Sequence, residues 1–229
     1  MTKKGAIDLV TDADRAAEEL VLEALARELP GAAILAEESG SHDGSASLQL
    51  VVDPLDGTTN YARGVPHYAV TVAALDPDGL AAGCTYDPSR DELFLATRGA
   101  GATLNGAPLT LNRGVALDDA VLATGFPYDV RTRGSELFAC FERFVRRSRA
   151  VRRFGSAALD LAWVACGRYD GYWERGLKPW DMAAGLLLVR EAGGVALDCS
   201  GAPAAVQGGE VVAADGALAR EMVAIIGAA

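Results

Sequence analysis

Residues 48–52, apolar apart from Gln49, run directly into Asp53-Pro54-Leu55-Asp56-Gly57-Thr58-Thr59-Asn60. Few chains can accommodate this junction. The apolar run has the length and content of a buried strand. Two carboxylates three residues apart must then open at the strand's end. They are hard oxygen ligands of the sort Mg²⁺ prefers. Gly57-Thr58-Thr59 can open a helix whose free N–H groups point at an anion. Metal ligands beside an anion cradle suggest metal-assisted chemistry on a phosphate.

The rest of the chain supplies further strands and helices. Thr11 or Asp12 caps a helix over 13–29, which Pro30-Gly31 ends. A short strand at 33–36 closes in Glu37-Glu38-Ser39, and 40–47 reads as a polar Gly/Ser loop. Strands are predicted at 48–53, 68–76, 79–86 and 91–97, with turns at Pro77-Asp78-Gly79 and Asn105-Gly106. This half is expected to be antiparallel. The second half alternates: strands near 119–124, 150–153, 169–174, 194–197 and 211–214, and helices near 133–147, 156–167, 180–192 and 216–226. Such alternation belongs to layered α/β architecture. A soft boundary at 115–130 divides 1–120 from 121–229, with the two parts expected to share one interface.

Acids outnumber bases 31 to 21, a net charge of −10. That argues against nucleic acid or an anionic membrane as the main partner. It suits a phosphate substrate only where bound cations set the local field. No apolar run is long enough to span a membrane. Met1-Thr2-Lys3-Lys4-Gly5 lacks the apolar core of a signal peptide. Cys84, Cys140, Cys166 and Cys199 are scattered, without metal spacing, and read as reduced, mostly buried residues of a cytoplasmic protein.

Three acidic clusters lie at element ends: Glu37-Glu38, Asp53 with Asp56, and Asp181 in Lys178-Pro179-Trp180-Asp181-Met182-Ala183-Ala184-Gly185. Singly, each has an ordinary reading: a solvated turn, a good turn sequence, and a helix cap. His42 lies in the polar loop, and His67 reads as a strand-start residue rather than a catalyst. Together with Ala36-Glu37-Glu38-Ser39, and with Asp8-Leu9-Val10-Thr11 and Asp14, the ordered motifs resemble the inositol monophosphatase family of Mg²⁺-dependent, lithium-sensitive sugar phosphatases. The resemblance spans nearly the whole chain. It implies an α/β (α+β) fold, a layered α-β-α-β-α sandwich, here expected to lack the family's first N-terminal helix.

The resemblance also assigns roles. Glu37, Asp53 and the Leu55 carbonyl would hold one Mg²⁺. Asp53, Asp56 and Asp181 would hold a second, with a third weaker ion near Glu37. Thr58, with Glu37, would orient the attacking water, making Glu37, Asp53 and Thr58 the catalytic set. The Gly57 and Thr58 N–H groups would take phosphate oxygens. Asp56, the Ala157 backbone and Glu174 would touch the sugar hydroxyls, and Lys3 matches a lysine near the site. Trp180 would pack beside the metal ligand. The chemistry is consistent, because a metal lowers the pKa of bound water from about 15.7 towards ~7, and no Cys, Ser or His nucleophile is required.

The implied activity is hydrolysis of inositol monophosphate or a similar small polyol or sugar phosphate. Fructose-1,6-bisphosphatase, histidinol phosphatase and adenosine 3′,5′-bisphosphate phosphatase share the ligands. Thr59-Asn60-Tyr61 followed by Gly64-Val65-Pro66 favours the inositol type, and selectivity would rest on Glu174 and the segment 126–150. A phosphatase-like regulator binding RNA polymerase or another partner is the non-enzymatic alternative. The family is commonly homodimeric, so a homodimer with independent sites is expected.

Overall fold

The computed structural model describes residues 2–3, 9–10 and 12–228, with backbone alone at 2–3, 9–10 and 133. Asp8, Thr11 and the Lys3 side chain therefore lie outside the described residues.

β1 (Thr2–Lys3) and β2 (Leu9–Val10) pair as a small antiparallel ribbon. They precede α1 (Asp12–Glu28), β3 (Ala33–Ala36) and β4 (Gly40–His42). Next come β5 (Gln49–Asp56), a five-residue α2 (Thr58–Ala62) and β6 (Ala69–Asp76). β7 (Gly79–Asp87), β8 (Glu92–Thr97), β9 (Gly101–Leu104) and β10 (Ala107–Pro108) complete an eight-stranded sheet of order β10-β9-β8-β7-β6-β5-β3-β4. Its pairs are antiparallel except β3 with β5, which run parallel. The Gly/Ser segment read as loop thus contributes β4. Its polar side chains carry no apolar period, yet Ser41 and His42 pair with Leu35 and Ile34 through backbone alone.

A second sheet is built from β11 (Val121–Thr124), β12 (Ala150–Arg152), β13 (Gly171–Arg175), β14 (Val195–Leu197) and β15 (Glu210–Ala214), in the order β12-β11-β13-β15-β14. β11 runs parallel to β12 and β13, and β15 is antiparallel to both β13 and β14. The helices are α3 (Val130–Val145), α4 (Ala157–Ala165), α5 (Pro179–Glu191) and α6 (Gly216–Gly227).

The layers follow from which helices are apolar all round. α4 is buried except at Trp163, and α5 is buried from Met182 to Val189. A helix without a polar face has to be enclosed, and both lie between the two sheets. α1 covers the far face of the large sheet at β5, and α3 and α6 cover the far face of the small one. The result is α-β-α-β-α. β5, with helices on both faces, needs the continuous apolar run seen in its sequence. β8, paired on both sides by β7 and β9, alternates instead, with Phe94 and Ala96 inward and Leu93 and Leu95 outward.

α5 sits close to both neighbours because its residues are small. A Cβ on Gly185 would meet Leu161 of α4 at 2.5 Å, and one on Gly83 would meet the Ala184 backbone at 2.8 Å. At its far end Glu191 accepts from the Gly99 and Gly101 N–H groups, both at 2.9 Å. The four cysteines are free and half-buried, less enclosed than their scatter suggested.

Candidate active site

Pro54 shapes the end of β5. It has no N–H for the ladder, and the register with β6 shifts between Asp53, opposite Thr71, and Asp56, opposite Ala69. Such a bulge re-aims the strand's side chains. Asp53 turns inward and is buried, its Oδ1 accepting from the Leu55 N–H at 2.9 Å. Asp56 projects towards α4. Gly57 then adopts φ 93°, with its Cα close against the His67 carbonyl, where a Cβ would lie at 2.9 Å. Only glycine fits such a left-handed, crowded position, and it starts α2 at Thr58.

Partners from distant elements hold these groups. Asp56 Oδ2 accepts from Ser156 Oγ and from the Ala158 N–H, both at 2.7 Å, so the N-terminal turn of α4 grips one carboxylate oxygen. Thr58 Oγ1 donates to Asp14 Oδ1 at 2.9 Å and lies 3.1 Å from the Leu55 carbonyl. Asp181, in the first turn of α5, accepts from the Lys178 N–H at 2.6 Å. It is therefore a helix cap, and it also faces the acids of β5.

The electrostatics show how near these acids are. Asp53 is pushed well above the usual carboxylate range, first by burial and then by Glu37, Asp56 and Asp181, and it shares a hydrogen bond with Glu37. Asp181 is raised well above its ordinary value by burial, then by Asp56, with Glu37 and Glu174 adding to it. Asp56 is raised by burial, opposed by its bonds to Ser156 and Ala158. After burial, the charges that act on Asp53 and Asp181 are those of acids, not cations. Among the described residues no three His, Cys, Asp or Glu side chains are drawn around one point as metal ligands are. The acids are instead engaged by protein donors and by one another. The donor set is hard oxygen throughout, and its mutual repulsion is what a divalent cation relieves, so the residues fit Mg²⁺.

Above the acids opens a cavity of about 230 Å³. Asp56, Gly57, Thr58, Ala157, Glu174 and Asp181 line it, whereas Glu37, Asp53 and Leu55 lie outside its wall. Glu174 lies across the end of β11, where a Cβ on Gly125 would come within 2.0 Å of its Oε2, and Tyr172 Oη donates to it. Burial pushes Glu174 up to about 8, against the Tyr172 hydrogen bond, which lowers it. Among the described residues Arg153 is the only basic one lining the cavity, its guanidinium 5.9 Å from the Phe126 ring.

Three contributors were given no role from the sequence. Asp14, named in the sequence only as part of the N-terminal motif, is 1% exposed and holds Thr58. Glu18 is likewise buried and takes the Glu38 N–H at 2.9 Å. Ser156 supplies the side chain that grips Asp56. Its place before a helical run was the available signal, and it caps α4 through the Leu159 N–H.

A five-layered α/β fold with carboxylates gathered at a strand end, beside a small polar cavity, defines a class of scaffold whose donors suit a divalent metal. A family model described as the inositol monophosphatase family matches residues 1–228, and the chain belongs to that family. An inositol-1-monophosphatase of Synechocystis sp. is 47% identical over 219 residues, 94% of this chain and 75% of the relative. The Nus factor SuhB of Salmonella typhimurium is 43% identical over 224 residues, 97% of this chain and 84% of the relative. The structure of an inositol monophosphatase from Anabaena superposes with a TM-score of 0.91 at 42% identity, covering 96% of this chain and 87% of that one.

Proposed function

We propose that this protein hydrolyses the phosphate monoester of a small polyol or sugar, most simply inositol monophosphate, in a Mg²⁺-dependent reaction. The observation that carries the reading is the convergence of acids on Asp53, which is buried and raised by Glu37, Asp56 and Asp181, at a cavity of about 230 Å³ that Asp56 and Asp181 line. That volume is below the usual range for drug-sized ligands and suits a compact ester.

Glu37, Asp53, the Leu55 carbonyl, Asp56 and Asp181 would hold two or three ions. Bound Mg²⁺ would supply Lewis-acid stabilisation of the phosphoryl oxygens and acidify a water. The protein's own groups do the placing. Thr58 Oγ1, fixed by Asp14 and close to the Leu55 carbonyl, orients the water together with Glu37. The Gly57 and Thr58 N–H groups take phosphate oxygens. Asp56, the Ala157 backbone and Glu174 meet the sugar hydroxyls. Glu174, raised to about 8, is protonated near neutrality and donates to a hydroxyl. The halves 1–120 and 121–229 act as one unit, in a cytoplasmic, lithium-sensitive homodimer whose sites are complete within each chain. Among the described residues no helix is long and apolar enough to cross a membrane.

The test is a panel of inositol 1-phosphate, fructose 1,6-bisphosphate and p-nitrophenyl phosphate with Mg²⁺, chelator or lithium. Hydrolysis that needs Mg²⁺ and favours inositol phosphate supports the reading. Full activity after exhaustive metal removal rejects it.

A second reading is favoured by the likeness to the Nus factor SuhB: a phosphatase-like protein that binds RNA polymerase or another protein partner. An Asp53→Asn variant separates the two, since it abolishes hydrolysis and leaves such binding intact.

A further inference from the structure

Among the described residues six buried side-chain polar atoms lack a hydrogen-bond partner, and five of them form one patch: His67 Nε2, both Asp160 oxygens, Trp163 Nε1 and Tyr169 Oη. The patch belongs to no role assigned above. His67 lies between α2 and β6, Asp160 and Trp163 share one face of α4 at a three-residue spacing, and Tyr169 lies just before β13. His67 Nε2 stands 3.8 Å from Asp160 Oδ1, with side chains 3% and 1% exposed. The Trp163 ring centroid lies 5.0 Å from that of His67 and 5.3 Å from that of Tyr169.

Buried polar groups are almost always satisfied, by protein or by ordered water. Five unsatisfied groups in one place would cost a large part of a domain's stability. They do not satisfy one another, because the His67–Asp160 gap exceeds hydrogen-bond length. Water can meet all of them, since it donates to the carboxylate, accepts from the indole N–H and does either for the hydroxyl. A water about 2.8 Å from each of His67 Nε2 and Asp160 Oδ1 spans their separation at an acceptable angle. Internal waters of this kind typically make about three bonds to otherwise unsatisfied groups.

We propose that His67, Asp160, Trp163 and Tyr169 line an enclosed water-binding site that ties the α2–β6 connection to α4. Both tied elements carry the candidate active site. The His67 carbonyl accepts from Asn60 Nδ2 at 2.8 Å and backs Gly57, while the N-terminal turn of α4 grips Asp56. The water site is thus the floor beneath the anion-binding turn, with His67 and Asp160 as positioning residues. It does not depend on the phosphatase reading.

A crystal structure at a resolution showing ordered water tests the site in the intact protein. At least one enclosed water bonded to His67 Nε2 and Asp160 is expected. A dry chamber, or a direct His67–Asp160 bond, overturns the proposal. In solution, oxygen-17 relaxation dispersion counts long-lived internal waters. A His67→Phe, Asp160→Leu double variant, shown folded by its thermal transition, should hold at least one fewer than wild type; an equal count overturns the site. Amide exchange over residues 57–60 should quicken in that variant, and unchanged exchange overturns the tie.

Discussion

At the residue scale, the grip on Asp56 is the contact with most leverage. Ser156 Oγ does two jobs, bonding Asp56 Oδ2 and capping α4. Ser156→Ala should cost about 1 kcal/mol through the lost cap alone, read by urea denaturation. It should also raise the Mg²⁺ concentration for half-maximal activity several-fold while leaving kcat at saturating Mg²⁺ near wild type. A fall in kcat with unchanged Mg²⁺ dependence would show that the serine acts on something other than Asp56. Glu174 gives a pH signature. Its carboxyl titrates near 8, so it donates to a hydroxyl below that pH and loses the proton above it. KM for inositol phosphate should rise as pH climbs past about 8, while KM for p-nitrophenyl phosphate, which has no polyol, stays flat. Glu174→Gln should remove the difference between the two profiles.

At the scale of elements, α5 explains why the second motif reads Ala183-Ala184-Gly185. A glycine inside a helix costs roughly 1 kcal/mol relative to alanine, and here its absent side chain lets α4 and α5 touch. Gly185→Leu should destabilise the protein by about 1–3 kcal/mol, the usual cost of overpacking. Gly227→Ala, where a Cβ meets nothing within 4 Å, should shift stability by less than about 0.5 kcal/mol. Equal effects in chemical denaturation would mean that α5 is not tightly wedged. Much of this architecture was legible in the chain. The helices α4, α5 and α6 and the strands β5 to β8 stand out by apolar content, period and turn residues, and the motif acids marked the strand and helix ends that meet. What was not legible depends on tertiary partners. β4 is held by backbone pairing that leaves no side-chain pattern. The direction of β3 against β5 is a matter of topology, and Asp14 and Glu18 are buried only because α1 lies over the loops they serve.

For the whole molecule, charge and acidity are linked through the site. Asp53 and Asp181 are raised in the folded state, so folding favours their protonated forms. The stability this lends is present below the unfolded carboxylate pKa near 4 and is lost as pH rises through the folded values. Metal-free protein should therefore weaken with rising pH, and Mg²⁺ should restore more at about pH 8 than at about pH 5. The gain should be several degrees, since 1 kcal/mol moves Tm by roughly 2–4 °C in a chain of this size. Thermal scans with and without Mg²⁺ at the two pH values measure it. An increment independent of pH would show that these carboxylates do not receive the ion.

The bond from Asp56 to Ser156 and Ala158 joins residues about a hundred positions apart, one on each side of the connection between β10 and β11. Neither half carries the whole of the candidate site. Cut in that connection, near Gly114, the chain becomes a reporter of its own assembly. Each piece expressed separately should be inert, with the apolar helices of the second piece uncovered on one side. Mixing should return hydrolysis only as fast as the pieces associate, a second-order rate read from how the recovery time falls with concentration. A separate piece that hydrolyses ester unaided would show that half of the molecule is enough.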